Sequence, residues 1–321
     1  MQPYAFEKLM KKLAFVFVCF LFCGCHAQTK LITIDYDKAL IPEGIAVDSL
    51  TNKIYLSSIY RKKIIETDLV SGNSKDFIDS IQYGYKGGIG ITIKDNKLFA
   101  LGAQKKDSLW SSILLVLNLD NGALVNKYLP KPLDNQLMND LAIGPTNDIY
   151  ITDTEQHLIY KLQYPEGNIE PFLEDEQIKY PNGIAISDDG NTLFVDSWTT
   201  GLRIIDLKTK KVLNVKSEET RGIDGLKYHN GSLYAIKNAG SKETHGIYRI
   251  ALNEAHSEIK GIVPLLVNHP KMNLPTTFAI SDGYLYILAN SQLLNLNQDN
   301  YTLVDENNLT NTYILKLKID Q

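Results

Sequence analysis

Apolar residues along this chain fall in short runs broken by turn-forming residues, and no stretch shows sustained helical periodicity. Four of the runs share one layout, an oxygen-bearing residue and then a small or acidic residue ahead of an apolar stretch: Pro42-Glu43-Gly44-Ile45-Ala46-Val47, Met138-Asn139-Asp140-Leu141-Ala142-Ile143, Pro181-Asn182-Gly183-Ile184-Ala185-Ile186 and Ile223-Asp224-Gly225-Leu226. Looser copies at Gly88-Ile89-Gly90-Ile91-Thr92-Ile93 and Pro275-Thr276-Thr277-Phe278-Ala279-Ile280 align in the same register. The marked positions 43, 89, 139, 182, 224 and 276 are spaced 42 to 52 residues apart, the length of a four-stranded unit. Such a unit cannot bury its apolar face alone and must pack on copies of itself. The fold this predicts is all-β, a six-bladed β-propeller.

Within the repeats the pattern reads strand, turn, strand. Ile184-Ala185-Ile186 runs into Asp188-Asp189-Gly190-Asn191, a turn whose residues supply the positive backbone angles a hairpin needs, and then into Thr192-Leu193-Phe194-Val195. Equivalent second strands begin at Lys53, Lys97, Asp148, Ser232 and Tyr284. Closing a ring of blades without leaving unpaired edges requires one blade to be shared between the two chain ends. The segment Leu31 to Asp35 is expected to supply the outer strand of the sixth blade, beside Tyr313 to Leu317. Longer connections at Gly122 to Leu137, Tyr164 to Tyr180 and Leu252 to Leu274 are expected to rim the face where the marked residues emerge.

The chain has 321 residues, and the repeat spans nearly all of them beyond the first few dozen, so residues 28–321 read as one domain. Residues 1–25 carry Lys8, Lys11 and Lys12 ahead of an apolar stretch from Leu13 to Cys23, too short for a membrane span and right for a secretory signal. Two cleavage readings stand: before Cys25 as a lipoprotein, which would tie the protein to a membrane by a lipid anchor at Cys25, or after Ala27. Either predicts an exported protein, periplasmic or anchored to a bacterial membrane. All three cysteines, Cys19, Cys23 and Cys25, lie in this leader, which excludes thiol chemistry and disulfides from the domain. The net charge is −4, and about −6 without the leader, so nucleic acid is not an expected partner.

Inner strands of a propeller line its central channel, so Glu43, Asn139, Asn182 and Asp224 are expected to meet on the axis. Asn and Asp at strand ends also serve ordinary turns. Four in one register argue for a shared site. Two carboxylates and two amides without sulfur or imidazole form a hard, doubly negative donor set suited to a divalent cation: calcium first, magnesium or manganese next, zinc less so.

These elements, Pro-Glu-Gly, Asn-Asp, Pro-Asn-Gly-Ile-Ala and Asp-Gly in this order across residues 40–290, resemble the senescence marker protein/gluconolactonase (regucalcin-like) family. The resemblance implies that Glu43, Asn182 and Asp224 are direct metal ligands. It makes Asn139 a fourth, direct or through water, and Asp224 also the general base or nucleophile in hydrolysis of a small-molecule lactone or ester. Two positions depart from the pattern: Leu137 stands where such members carry an arginine for sugar hydroxyls, and Gly87, Gly88 and Ile89 stand where paraoxonase-type relatives place a histidine. Gluconolactone and a histidine dyad are therefore not expected. The alternative is a non-catalytic, calcium-stabilised propeller that binds a glycan, peptide or partner protein.

Among the remaining residues, Trp110 and Trp198 read as packing, Lys105-Lys106-Asp107 as a solvated loop, Arg221 as a surface ion pair, and the histidines as loop or surface groups. Asp140 has two open roles: a second cation site in the channel, or a bond to a neighbouring blade.

Overall fold

The computed structural model describes residues 29–131, 135–297 and 299–319; the leader, its three cysteines and its cleavage site lie outside them. Strand β1 (Thr29–Ile34) leads into five sequential four-stranded sheets. The first is β2 (Pro42–Asp48), β3 (Lys53–Ser58), β4 (Ile64–Asp68) and β5 (Ser74–Ile78); the second is β6 (Gly87–Lys94), β7 (Lys97–Lys106), β8 (Leu109–Asn118) and β9 (Leu124–Tyr128). The third is β10 (Met138–Ile143), β11 (Asp148–Asp153), β12 (Leu158–Gln163) and β13 (Glu170–Glu174); the fourth is β14 (Pro181–Ile186), β15 (Thr192–Ser197), β16 (Arg203–Asp206) and β17 (Lys211–Val212). The fifth is β18 (Ile223–His229), β19 (Ser232–Lys237), β20 (Gly246–Leu252) and β21 (Ile259–Val267). The sixth is β22 (Phe278–Ser281), β23 (Tyr284–Leu288) and β24 (Thr312–Lys318), with β1 on its outer edge. This is the six-bladed propeller the repeat predicts.

Each blade is covered on both faces, so strand interiors carry unbroken apolar runs in place of alternation: Ile54, Tyr55 and Leu56 are all buried, as are Leu114 to Leu117. Six clusters fill the gaps between neighbouring blades. Tyr55, Ile64, Ile91 and Leu115 pack between the first two blades, for example, and Ile45, Leu56, Tyr286 and Ile314 between the sixth and the first. The turn at Asp188 to Asn191 forms as expected: Gly190 sits at φ 71°, and Asp189 Oδ1 accepts from the Asn191 amide at 3.0 Å.

Around the axis the packing is backbone on backbone. In each of the first five inner strands the register slips at the marked residue, so that a bulge turns its side chain toward the channel. The next residue must be small where the neighbouring strand leans on it. A Cβ on Gly44 would sit 2.1 Å from the carbonyl oxygen of Ile89, and one on Gly183 would sit 2.3 Å from that of Asp224. Hydroxyls on the second strands lock the contact. Ser57 Oγ accepts from the Gly44 amide (2.9 Å) and donates to the Ile89 carbonyl (2.6 Å). Thr152 Oγ1 does the same for Asp140 (3.1 Å) and Asn182 (2.7 Å).

Two of the three long connections expected at the rim carry outer strands, β9 and β13, and the third carries β21. The expectation missed them because these strands are amphipathic and partly exposed, with weaker apolar runs.

β1 pairs with β24 in antiparallel register from Thr29↔Leu317 to Ile34↔Thr312, and Ile34 is fully buried. Deleting residues 29–34 exposes that edge and empties part of a core cluster. The expected outcome is a melting-point drop of roughly 10 °C or more, together with concentration-dependent self-association, read by thermal melts and size-exclusion chromatography.

Candidate functional site

All six marked positions line one small cavity on the axis, bounded by Glu43, Ile89, Asn139, Asn182, Asp224 and Thr276 together with Asp140. Its volume, about 10 Å³, is room for one water-sized or ion-sized particle. The bulges explain the convergence. Asp224 is held from two sides: Asn182 Nδ2 donates to its Oδ1 (2.9 Å) and Asn238 Nδ2 to its Oδ2 (2.6 Å). Asn238 also donates to the Pro275 carbonyl (3.0 Å), and Thr154 plays the matching part in blade three, accepting from Asn139 Nδ2 (3.0 Å) and donating to the Pro181 carbonyl (2.8 Å). Sequence reasoning missed Asn238. The signal for it was its place just past the second strand of a blade with a marked residue, where Thr154 also stands.

The floor is electrostatically strained. Burial, and after it the charge of Asp224, push the Glu43 carboxyl well above the usual range; the Thr276 hydroxyl opposes this from outside hydrogen-bond geometry, and Asp140 adds to it. Asp224 is pushed up to about 7 by burial, with Asn238 and Asn182 pulling it back and Asp140 raising it. Glu43 Oε2 is buried with no hydrogen-bond partner. A second buried acid lies behind: Asp196, its pKa raised well above normal by burial and then by Asp224, has both oxygens unpartnered. It occupies the register that Ser57 and Thr152 fill in other blades.

Two acids turned onto an ion-sized gap, one with an orphaned oxygen, fit a hard divalent cation, whose charge would reverse the upward pressure on both carboxyls. The residues to hold it are Glu43, Asn139, Asn182 and Asp224. Among the described residues no cluster of three or more His, Cys, Asp or Glu forms an alternative metal site. Asp140 has settled partners: its Oδ1 accepts from the Leu141 amide (2.8 Å), and its Oδ2 pairs at 3.0 Å with Lys227 of blade five. Neither expected role is met as stated: its cationic partner reaches it from across the channel, two blades away, and not from a neighbouring blade.

Above the floor, and sharing Glu43, Ile89 and Asn139 with it, opens a cavity of about 530 Å³. Its walls come mainly from the β3–β4 loop, the β7–β8 hairpin and the connection from Leu288 to Thr312; of the three connections expected at the rim only the first contributes, through Leu137. Trp110 and Lys105 line it, a placement beyond their readings as packing and solvated loop; Trp110 does pack, meeting Tyr301 edge to face at 5.3 Å. The charge of Glu43 adds to burial in pushing the Tyr301 phenol up to about 12. Arg221 is a surface pair with Glu218, at 2.7 Å, and no described histidine lines either cavity.

The family model for the SMP-30/gluconolactonase/LRE-like region matches residues 41–242. No curated protein matches the sequence. Among solved structures, a gluconolactonase from Xanthomonas campestris superposes with a TM-score of 0.60 at 15% identity, covering 92% of each chain. A regucalcin from Agrobacterium tumefaciens, described as a calcium-binding protein, gives 0.59 at 16% identity over 90% of this chain and 94% of its own. Virginiamycin B lyase from Staphylococcus aureus gives 0.59 at 16% over 91% and 99%. At such identities the likeness is one of fold.

Two outcomes follow from the channel. Lys227→Met leaves Asp140 largely buried without its cation and should cost roughly 3 kcal/mol in denaturant titration, more than half of it recovered by adding Asp140→Asn. In chelator, the raised pKa values of Glu43 and Asp224 mean that their contribution to stability is intact below about pH 4 and falls away at higher pH, that of Asp224 as pH rises through about 7. Melts from pH 4 to 8 should therefore fall by roughly 5 °C, a slope that excess calcium removes and Asp224→Asn reduces.

Proposed function

The chain belongs to the SMP-30/gluconolactonase/LRE-like family, and from that premise we propose that it is a metal-dependent hydrolase of small-molecule lactones or related esters. The observation that carries this reading is the pairing of an acidic, ion-sized floor with a 530 Å³ cavity directly above it. A binding module that used a cation only for rigidity would need no such chamber over it.

Glu43, Asn139, Asn182 and Asp224 would hold the cation, calcium by preference. When bound it would supply Lewis-acid polarisation of the ester carbonyl and a lowered pKa for water. Asp224 is the base: the two amide donors fix its carboxylate plane, leaving its remaining lone pairs for a proton. Water adds to the acyl carbon as Asp224 takes its proton. The acyl carbon–oxygen bond then breaks, and the proton passes to the leaving alkoxide, giving a hydroxy acid or an acid and an alcohol. Ile89 and Leu137 on the cavity wall limit competing water. The leader supports export, with Cys25 the position for a lipid anchor if cleavage falls before it.

Asp224→Asn is isosteric but removes the base, and its new NH2 meets one of the two amide donors, so one of those hydrogen bonds is lost as well. Its kcat on a panel of lactones and aryl esters with calcium, manganese, magnesium or zinc should fall at least about a thousandfold while the fold persists by circular dichroism. Wild-type protein inactive on the whole panel with every ion would defeat the reading.

A further inference from the structure

The charge of the upper cavity runs against that of the chain. The protein is net negative at −4, yet the cavity wall carries Arg61, Lys62 and Lys105, and its only acid among the described residues is Glu43 on the floor. Arg61 is already neutralised, its Nε donating to Asp37 at 2.8 Å and its Nη2 at 3.3 Å. Lys62 and Lys105 have no ion-pair partner among the described residues. Lys62 is fixed at φ 53°, a left-handed conformation lysine adopts reluctantly, by bonds from its amide to the Ser58 carbonyl (3.1 Å) and from the Ile81 amide to its own carbonyl (2.9 Å). Lys105 stands directly opposite Trp110 in the β7–β8 hairpin, so ammonium and indole are presented together. Tyr301 extends the aromatic surface, and Leu137 adds an apolar side chain that binds no hydroxyl.

We propose that the ligand of this cavity is an ester or lactone bearing a carboxylate on a planar, unsaturated ring, the carboxylate bound by Lys62 and Lys105 and the ring seated against Trp110 and Tyr301. This rests on the hydrolase reading for the chemistry at the floor, but recognition of the anion stands on the wall alone. Two ammonium groups without ion-pair partners among the described residues, beside an aromatic face, select a flat anion over a neutral polyhydroxylated ring, whose hydroxyls would meet indole and leucine.

Binding is read without turnover by quenching of Trp110 fluorescence, with Trp110→Phe as the control that assigns the signal. 4-Hydroxybenzoate should half-quench at about a tenfold lower concentration than phenol, and the preference should shrink with added salt. In the Lys62→Gln/Lys105→Gln double variant the two ligands should bind within about twofold of one another, and Lys62→Arg should retain the preference. Equal binding of the pair by wild type, or a preference unchanged in the double variant, overturns the proposal; 4-hydroxyphenyl phosphate binding more tightly than the carboxylate overturns the carboxylate assignment. Turnover is measured in parallel, as kcat/KM for 4-acetoxybenzoate against phenyl acetate. A ratio of about ten that collapses in the double variant supports both readings, whereas selective quenching with no ester hydrolysed removes the hydrolase reading and leaves the anion pocket standing.

Discussion

Close approach of backbone around the propeller axis is the constraint from which the rest of the molecule follows. Each inner strand must bring its bulge carbonyl against the start of the preceding strand, and at Gly44 and Gly183 there is no space for a side chain. Ser57 then ties the first bulge to the second, and Thr152 the third to the fourth. Because the bulges are locked, the marked side chains have nowhere to point except the channel. The site is a by-product of ring closure that the chain has filled with oxygen donors.

That placement has an electrostatic cost. Glu43 and Asp224 face each other in a space too small for a hydration shell, with Asp140 close and Asp196 behind. Lys227 neutralises Asp140 from across the channel, but Glu43 and Asp224 receive no cationic side chain among the described residues. A fold that keeps two buried acids without a cationic partner holds a tension that a divalent ion relieves.

The upper cavity has a different origin. Its walls come mostly from connections between second and third strands, which do not take part in ring closure and are free to vary. Chemistry at the floor and recognition at the wall are thus carried by separate parts of the architecture. Lys62, Lys105 and Trp110 lie within the first two repeat units but outside the marked register, so no pattern announces them.

The repeat of small residues and apolar runs was enough to determine the six-bladed ring, its closure by the first strand and the meeting of Glu43, Asn139, Asn182 and Asp224, since a periodic pattern must place equivalent positions on a common axis. Outer strands β9, β13 and β21 escaped because half-exposed strands lack the apolar runs that mark the inner ones. The partners of the site, Asn238 on Asp224 and Lys227 on Asp140, and the cationic, aromatic wall above it were decided only by tertiary structure. Each depends on distances between different blades or on the path of a loop, and no local pattern encodes a distance across the channel.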